Sequence, residues 1–195
     1  MSYASDRRFT DYVHELAVRD IYPKMDWVVQ DVNSRLSVNI DMNNAVDYMA
    51  VDRMRRLITI QERFRESKYS RYSDFTLRYM RPENRHEERR LSEFFKLDAD
   101  YFVYGIIDSQ KYNVNSNSRF LKYAIINLKT LMDRVDDGVV VIDESIREKR
   151  CRQIGNTMHC PRIPNWDHSS DFVPFDILIL DSIAPEVVEY QEGFL

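Results

Sequence analysis

The chain has 195 residues, of which 44% are apolar and 31% charged, enough for one sizeable core and short for two domains. Ten Gly and Pro together exclude collagen-like and low-complexity disorder, no apolar run approaches the roughly 18 residues of a bilayer span, and two cysteines are too few for a disulfide scaffold. The first residues carry no hydrophobic stretch of the secretory kind, so a cytoplasmic, non-membrane protein is expected. The net charge of -4 argues at first against a polyanionic partner.

In chain order, Phe9, Tyr12, Val13, Leu16 and Ala17 recur at helical spacing, which predicts a helix over residues 6–20, capped by Ser5 or Asp6 and ended by Pro23. Trp27–Val29 and Leu36–Ile40 read as short strands, and Asn43-Asn44 as a turn. Ala45–Val51 and Leu57–Arg65 are apolar-rich runs separated by a charged connection, the pattern of a β-hairpin. Asp74–Met80 alternates and reads as a further strand. Pro82–Lys96 reads as a polar helix and Asp100–Ile107 as a buried strand. Ser118 is expected to cap a helix from Arg119 to about Arg134, with Leu121, Ala124, Ile125, Leu128, Leu131 and Met132 on one face. Val139–Ile142, Gln153–Met158 and Phe172–Leu180 are expected as short strands. The order predicts one α/β domain with a mixed central sheet flanked by helices, its core over about residues 5–135 and a C-terminal extension over 136–195.

Charge is unevenly spread. Between Arg53 and Arg90 lie twelve basic residues and six acidic ones, so this block of 38 residues is +6 and the remainder is -10. Arg outnumbers Lys by 21 to 7, and Arg is the better partner for bidentate phosphate contacts. Phe64, Tyr69, Tyr72, Phe75 and Tyr79 are interleaved with the cations, as in a groove that tracks a nucleic-acid backbone. A solvated, salt-bridged surface is the plainer reading of the same residues.

Four glycines, none clustered, leave no phosphate loop, dinucleotide fingerprint or nucleophile elbow. Cys151, His159, Cys160 and His168 match no usual zinc spacing and read as packing and loop residues. The hairpin is more informative. Asp47 interrupts an apolar strand, where a carboxylate is costly unless paired or metal-bound. Period two puts Gln61, Arg63 and Arg65 on one face of the second strand and Ile58, Ile60, Glu62 and Phe64 on the other. A hairpin can set Asp47 beside Gln61 and Arg63, giving oxygen ligands for a hard divalent cation and a positive charge for a phosphate. A cross-strand Asp47–Arg63 salt bridge satisfies the same spacing.

Residues 43–107 resemble the PD-(D/E)xK nuclease superfamily, whose restriction-endonuclease-like core runs helix, hairpin with an Asp followed by (Asp/Glu/Gln)-x-Lys, helix, buried strand. Asn44-Ala-Val-Asp47 followed by Thr59-Ile-Gln61-Glu62-Arg63 is similar to its Gln-containing variants, as are the Tyr-rich basic stretch Ser67–Ser73 and the strand Asp74-Phe75-Thr76. The resemblance implies a Mg²⁺-dependent (or Mn²⁺-dependent) DNA endonuclease, acting as a homodimer, of the small kind carried by phages or mobile elements. It places Asp47, Gln61 and Glu62, the last through its backbone carbonyl, around the metal, and Arg63 at the catalytic lysine position. Arg65, Lys68, Arg71, Arg78 and Arg81 would hold DNA. Arg63 departs from the pattern because a guanidinium does not lose its proton near neutral pH. Glu62 stands where an apolar residue is usual, with two roles open: the missing carboxylate, delivered by a bulge, or an ion pair with a nearby Arg. A helix-one acid, Asp11 or Glu15, would assist. The alternative is a catalytically inactive nucleic-acid-binding or structural protein that retains the fold.

Overall fold

The computed structural model describes residues 3–30, 46–87 and 90–194. Helix α1 spans Tyr3–Asp20, with Phe9, Val13, Leu16 and Ala17 buried along one stripe. Pro23 sits in the 3-10 turn that follows, Tyr22–Met25, where a missing N–H costs nothing and α1 cannot continue. The early strands are β1 (Val28–Val29), β2 (Tyr48–Val51), β3 (Leu57–Arg65), β4 (Asp74–Met80), β5 (Tyr101–Ile107) and β6 (Phe120–Asn127). Helix α2 (Leu128–Asp136) comes next, then β7 (Val140–Ile142), β8 (Arg152–Ile154), β9 (Thr157–Cys160), β10 (Ile163–Pro164) and β11 (Asp171–Asp176). Helix α3 (Ile177–Ile183) and strand β12 (Val188–Glu192) close the chain. The expected strand at Leu36–Ile40, the turn at Asn43-Asn44 and Ala45 lie outside the described residues.

The central sheet has the order β1-β2-β3-β5-β6-β12. Every neighbouring pair in it is antiparallel except β3 and β5, which are parallel. It is therefore mixed, as expected, and the fold is α/β. One face receives α1: Ala17, Ile21 and Tyr22 pack on Ile58, Ile60, Val103, Tyr123 and Ile125. The other face, with Phe102, Tyr104, Ile106, Ala124 and Ile126, packs against Phe75 and Leu77 of β4, Val173 and Phe175 of β11, and residues of α2 and α3. With both faces covered, β5 is buried from Phe102 to Ile107, which is why it reads as an unbroken apolar run. Gly105 belongs to that packing, since a Cβ there would lie 2.7 Å from the Phe120 ring.

The parallel step from β3 to β5 passes through β4, which leaves the central sheet for a second one ordered β10-β11-β4. A third sheet is ordered β7-β9-β8. Pro82–Lys96, expected as a polar helix, is instead, over its described residues, turns and bends with a short 3-10 segment, Glu93–Lys96. Its backbone is held back onto β4 by Arg81 N–H to Arg90 C=O at 2.8 Å and Ser92 N–H to Tyr79 C=O at 3.3 Å.

The expected helix at 119–134 is half strand. Tyr123, Ala124, Ile125 and Ile126 are all buried, because β6 is sandwiched between β5 and β12, and a run apolar on both faces mimics a helical stripe. Asn127 then caps α2, its side chain accepting the Thr130 N–H at 3.0 Å. The same device splits Phe172–Leu180: β11 ends at Asp176, whose carboxylate accepts the N–H groups of Leu178 and Ile179 at 3.0 and 3.1 Å and starts α3. Gln153–Met158 is a hairpin turning at Gly155, whose φ of 59° suits glycine. No helix among the described residues is long and apolar enough to cross a membrane.

Candidate functional site

The β2–β3 register runs from Val51–Leu57 to Tyr48–Ile60, and the Asp47 N–H donates to the carbonyl of the same Ile60 at 2.9 Å, a one-residue offset at the end of the ladder. The Asp47 charge acts on Tyr22, on the α1 side of the sheet. An Asp47 carboxylate oxygen also accepts the Glu62 N–H at 2.7 Å, which holds the acid against β3. Gln61 is 6% exposed. Its Nε2 donates to the Glu93 carboxylate, and this orients the amide, since Oε1 facing a carboxylate would be repelled. Oε1 is then buried with no hydrogen-bond partner among the described residues. A buried orphan acceptor costs about 1–3 kcal/mol, and an amide oxygen is a ligand type that a hard divalent cation accepts. Gln61 Oε1, on the face of β3 turned toward Glu93, fits Mg²⁺ or Mn²⁺ as one oxygen ligand.

Arg63 shares this face. Its Nη2 lies 2.5 and 2.6 Å from the two Glu93 oxygens, and its Nη1 donates to the Thr76 carbonyl of β4. Glu93 also accepts the Arg78 N–H at 3.0 Å. Burial opposes ionisation of Glu93, but the Arg63 cation and these hydrogen bonds outweigh it and hold the carboxyl below the usual range. The salt-bridge partner of Arg63 is thus Glu93, which sequence spacing did not single out. No periodicity links residues 63 and 93; they meet because the segment after β4 folds back over β3.

Glu62 lies on the face of β3 opposite Gln61 and Arg63, where the Asp47 charge also acts on Tyr22. The Glu62 side chain is fully buried, with His14 Nδ1 2.9 and 3.0 Å from its two oxygens and the Tyr22 hydroxyl donating to it. No register shift interrupts β3 in its pairing with β5, and the carboxylate meets His14 and Tyr22 rather than an arginine. Its N–H, not its acid, serves Asp47. Burial, then the Glu62 charge, pushes the Tyr22 hydroxyl well above its ordinary pKa. His14 also stacks on Tyr48 with ring centroids 3.5 Å apart. Asp11 and Glu15 are exposed on α1, whereas His14 of the same helix reaches the Glu62 carboxylate of β3.

Beside this face runs a cleft of about 1120 Å³. Its lining includes seven cations (Arg63, Arg65, Arg71, Arg78, Lys111, Lys149 and Arg150) and three carboxylates, Glu66, Asp74 and Asp176. Of the residues expected to hold DNA, Arg65, Arg71 and Arg78 line it. Lys68 and Arg81 are not in the lining, and Lys68 lies 2.8 Å from Glu66. Arg65 sits over the Tyr69 ring at 5.0 Å and Arg71 over the Tyr72 ring at 4.9 Å. Burial, together with the neighbouring Arg81 and Arg63 cations, pulls the Arg78 guanidinium down from its usual range, a mark of concentrated positive potential. Lys111, Lys149 and Arg150 come from distant segments, and only tertiary folding brings them here. Asp74 and Asp176 are directly paired across β4 and β11. Burial raises the Asp74 carboxyl, and Asp176 adds to the effect.

Among the described residues, no group of three or more His, Cys, Asp or Glu side chains is placed to hold a metal ion. The candidate cation site rests on the Gln61 amide oxygen, with the Asp47 carboxylate held at the Glu62 N–H. Cys151 and Cys160 are 3.8 Å apart as free thiols, and His159 pairs with Asp143 at 3.0 Å. Comparisons with family models, curated proteins and solved structures return no match for this chain.

Proposed function

We propose that this protein is a Mg²⁺-dependent deoxyribonuclease, with Mn²⁺ as a substitute, built on the restriction-endonuclease-like plan. The observation that carries the reading is the orphaned, buried Gln61 Oε1 on a face of β3 whose Arg63 opens into a cationic cleft. Asp47 and Gln61 would hold the cation. When bound, it would acidify a water and polarise the phosphate. Arg63 would offset charge gathering on the phosphate, and its permanent protonation rules it out as the base. Glu93 orients Arg63 through paired contacts at 2.5 and 2.6 Å, a positioning role. The cations along β3 and β4 would bind the phosphate backbone, a sequence-independent interaction weakened by salt. Beyond Arg63 and Glu62, a further departure from the usual plan is that strand β4, not a helix, fills the step between β3 and the parallel β5.

A second reading, a nucleic-acid-binding protein without catalysis, is favoured by Arg63 being already paired with Glu93. Nicking of supercoiled plasmid separates the two. The nuclease reading expects nicking in Mg²⁺ or Mn²⁺, none in a chelator, and loss of at least a hundredfold in rate with Asp47→Ala at unchanged DNA affinity. Nicking that survives Asp47→Ala, or none in any divalent metal despite tight DNA binding, rejects it.

A further inference from the structure

Trp166 is 92% exposed, the most exposed of the large apolar side chains among the described residues. It does not belong to a frayed segment. The loop joining β10 to β11 is closed by Asn165 N–H to Ser170 C=O at 2.8 Å and by Asn165 Nδ2 to Ser170 Oγ at 2.6 Å. Inside it, His168 N–H donates to Asn165 C=O at 3.0 Å, and Ser169 donates to Asp167 from both N–H and hydroxyl. The chain thus spends a dense polar network on holding one indole in water. Strand β11 is in turn paired along β4, the strand that carries Thr76 and Arg78. The loop is fixed relative to the basic cleft, and its two closing residues, Asn165 and Ser170, line that cleft.

The surroundings identify the partner chemistry. Tyr69 and Tyr72 share the cleft with the seven cations. Cations that track a backbone, together with aromatic faces that stack bases, form the general arrangement for unpaired nucleic acid. A protein partner would need an apolar ring around the tryptophan to exclude water. Its loop neighbours are instead Asn165, Asp167, His168 and Ser169. The cleft, at about 1120 Å³, slightly exceeds the roughly 300–1000 Å³ of small-molecule pockets, room for a few nucleotides and too little for a turn of duplex. Its lining draws on β3, β4 and β11 and on Lys111, Lys149 and Arg150, and Trp166 extends from the loop whose closing residues reach it.

Accepting the nucleic-acid reading of the cleft, we infer that it takes an unpaired DNA strand and that Trp166 stacks on one of its bases. The protein holds two tryptophans, and Trp27 is 7% exposed in the α1 packing, so a change of indole emission on binding reports Trp166. Titration with single-stranded oligothymidylate in a chelator, which suppresses cleavage, should quench that emission in step with fluorescence anisotropy of a labelled strand. Trp166→Ala should weaken strand binding roughly tenfold or more with an unchanged melting temperature. Trp166→Phe should keep most of the affinity and lose the quenching. A blunt duplex of equal length should bind more weakly and respond less to Trp166→Ala.

Strand binding with unchanged indole emission and full affinity in Trp166→Ala overturns the stacking role. Duplex binding as tight as strand binding overturns the unpaired substrate, and both results leave the cleft as a nucleic-acid site. No salt-sensitive binding of either DNA rejects the nucleic-acid reading itself and this inference with it.

Discussion

At the scale of single residues, the site is a set of polar groups whose partners differ from those their spacing suggested. Gln61 and Arg63 share a face of β3 as period two requires, both reaching Glu93. The Arg63 charge goes to Glu93, and the Glu62 charge to His14 and Tyr22 on the other side of the sheet. Alternation tells which face a side chain takes, and along β3 it was sufficient, but it does not tell the offset at Asp47. It does not tell what stands above that face, so Glu93 and His14 were not legible. Asp74 yields a pH prediction. Its carboxyl is raised above the ordinary value by burial, then by Asp176, so the native state binds a proton more tightly than the unfolded chain does. Ionised Asp74 therefore costs stability at neutral pH. The cost is relieved as pH falls through the raised value toward the unfolded one, about 3.9. Asp74→Asn should raise the melting temperature by a few degrees at pH 7, with the gain vanishing below about pH 4. Thermal melts across this window check it, and a gain of equal size at both ends would contradict the assignment.

At the scale of elements, α1 docks on the sheet through apolar contacts and through one buried polar cluster, Glu62 with His14 and Tyr22. Removing one partner from a buried carboxylate leaves it under-satisfied. His14→Ala should lower unfolding free energy by about 1–3 kcal/mol or more, and much of that should be recovered when Glu62→Met is added. Denaturant unfolding of the two variants tests this, and additive losses would show that the pair is not coupled. Elements with one dominant periodicity were readable: α1 by its stripe, β3 and β4 by alternation, β5 as an unbroken apolar run. Two junctions were not. At Asn127 and Asp176 a buried strand passes straight into a capped helix with no intervening loop, so one apolar stretch serves two geometries. Pro82–Lys96 carries polar residues at helix-like spacing, but Ser92 bonds back to β4 instead, with Phe94 buried and Glu93 turned onto Arg63. The six-strand order and the role of β12 at the edge depend on long-range pairing, which local pattern does not encode.

At the scale of the whole molecule, the acidic total hides a cationic groove assembled from separate stretches. One set of cations, Arg65, Arg71 and Arg78, belongs to the +6 block and was visible in the sequence. The other, Lys149 and Arg150, is brought to the cleft by the segment whose Cys151 bonds to the Pro174 carbonyl of β11, the strand paired with β4. If both sets hold phosphates, Arg71→Ala and Arg150→Ala should each weaken DNA binding and each lower the slope of log affinity against log salt by about 0.9 for duplex, or about 0.7 for a single strand. A slope unaffected by Arg150→Ala would leave the first set alone as functional. The acidic remainder of the surface would repel DNA from other faces and favour approach to the groove.

The claim on which the functional reading rests is that the β2–β3 hairpin holds a divalent cation between the Asp47 carboxylate and the orphaned Gln61 oxygen. Binding of Mn²⁺, followed by loss of the free-ion electron paramagnetic resonance signal, measures it directly, with no dependence on substrate. The wild-type protein should bind one ion per chain, Gln61→Ala should bind more weakly, and Asp47→Ala should not bind at this site. Identical isotherms for all three proteins would contradict the claim.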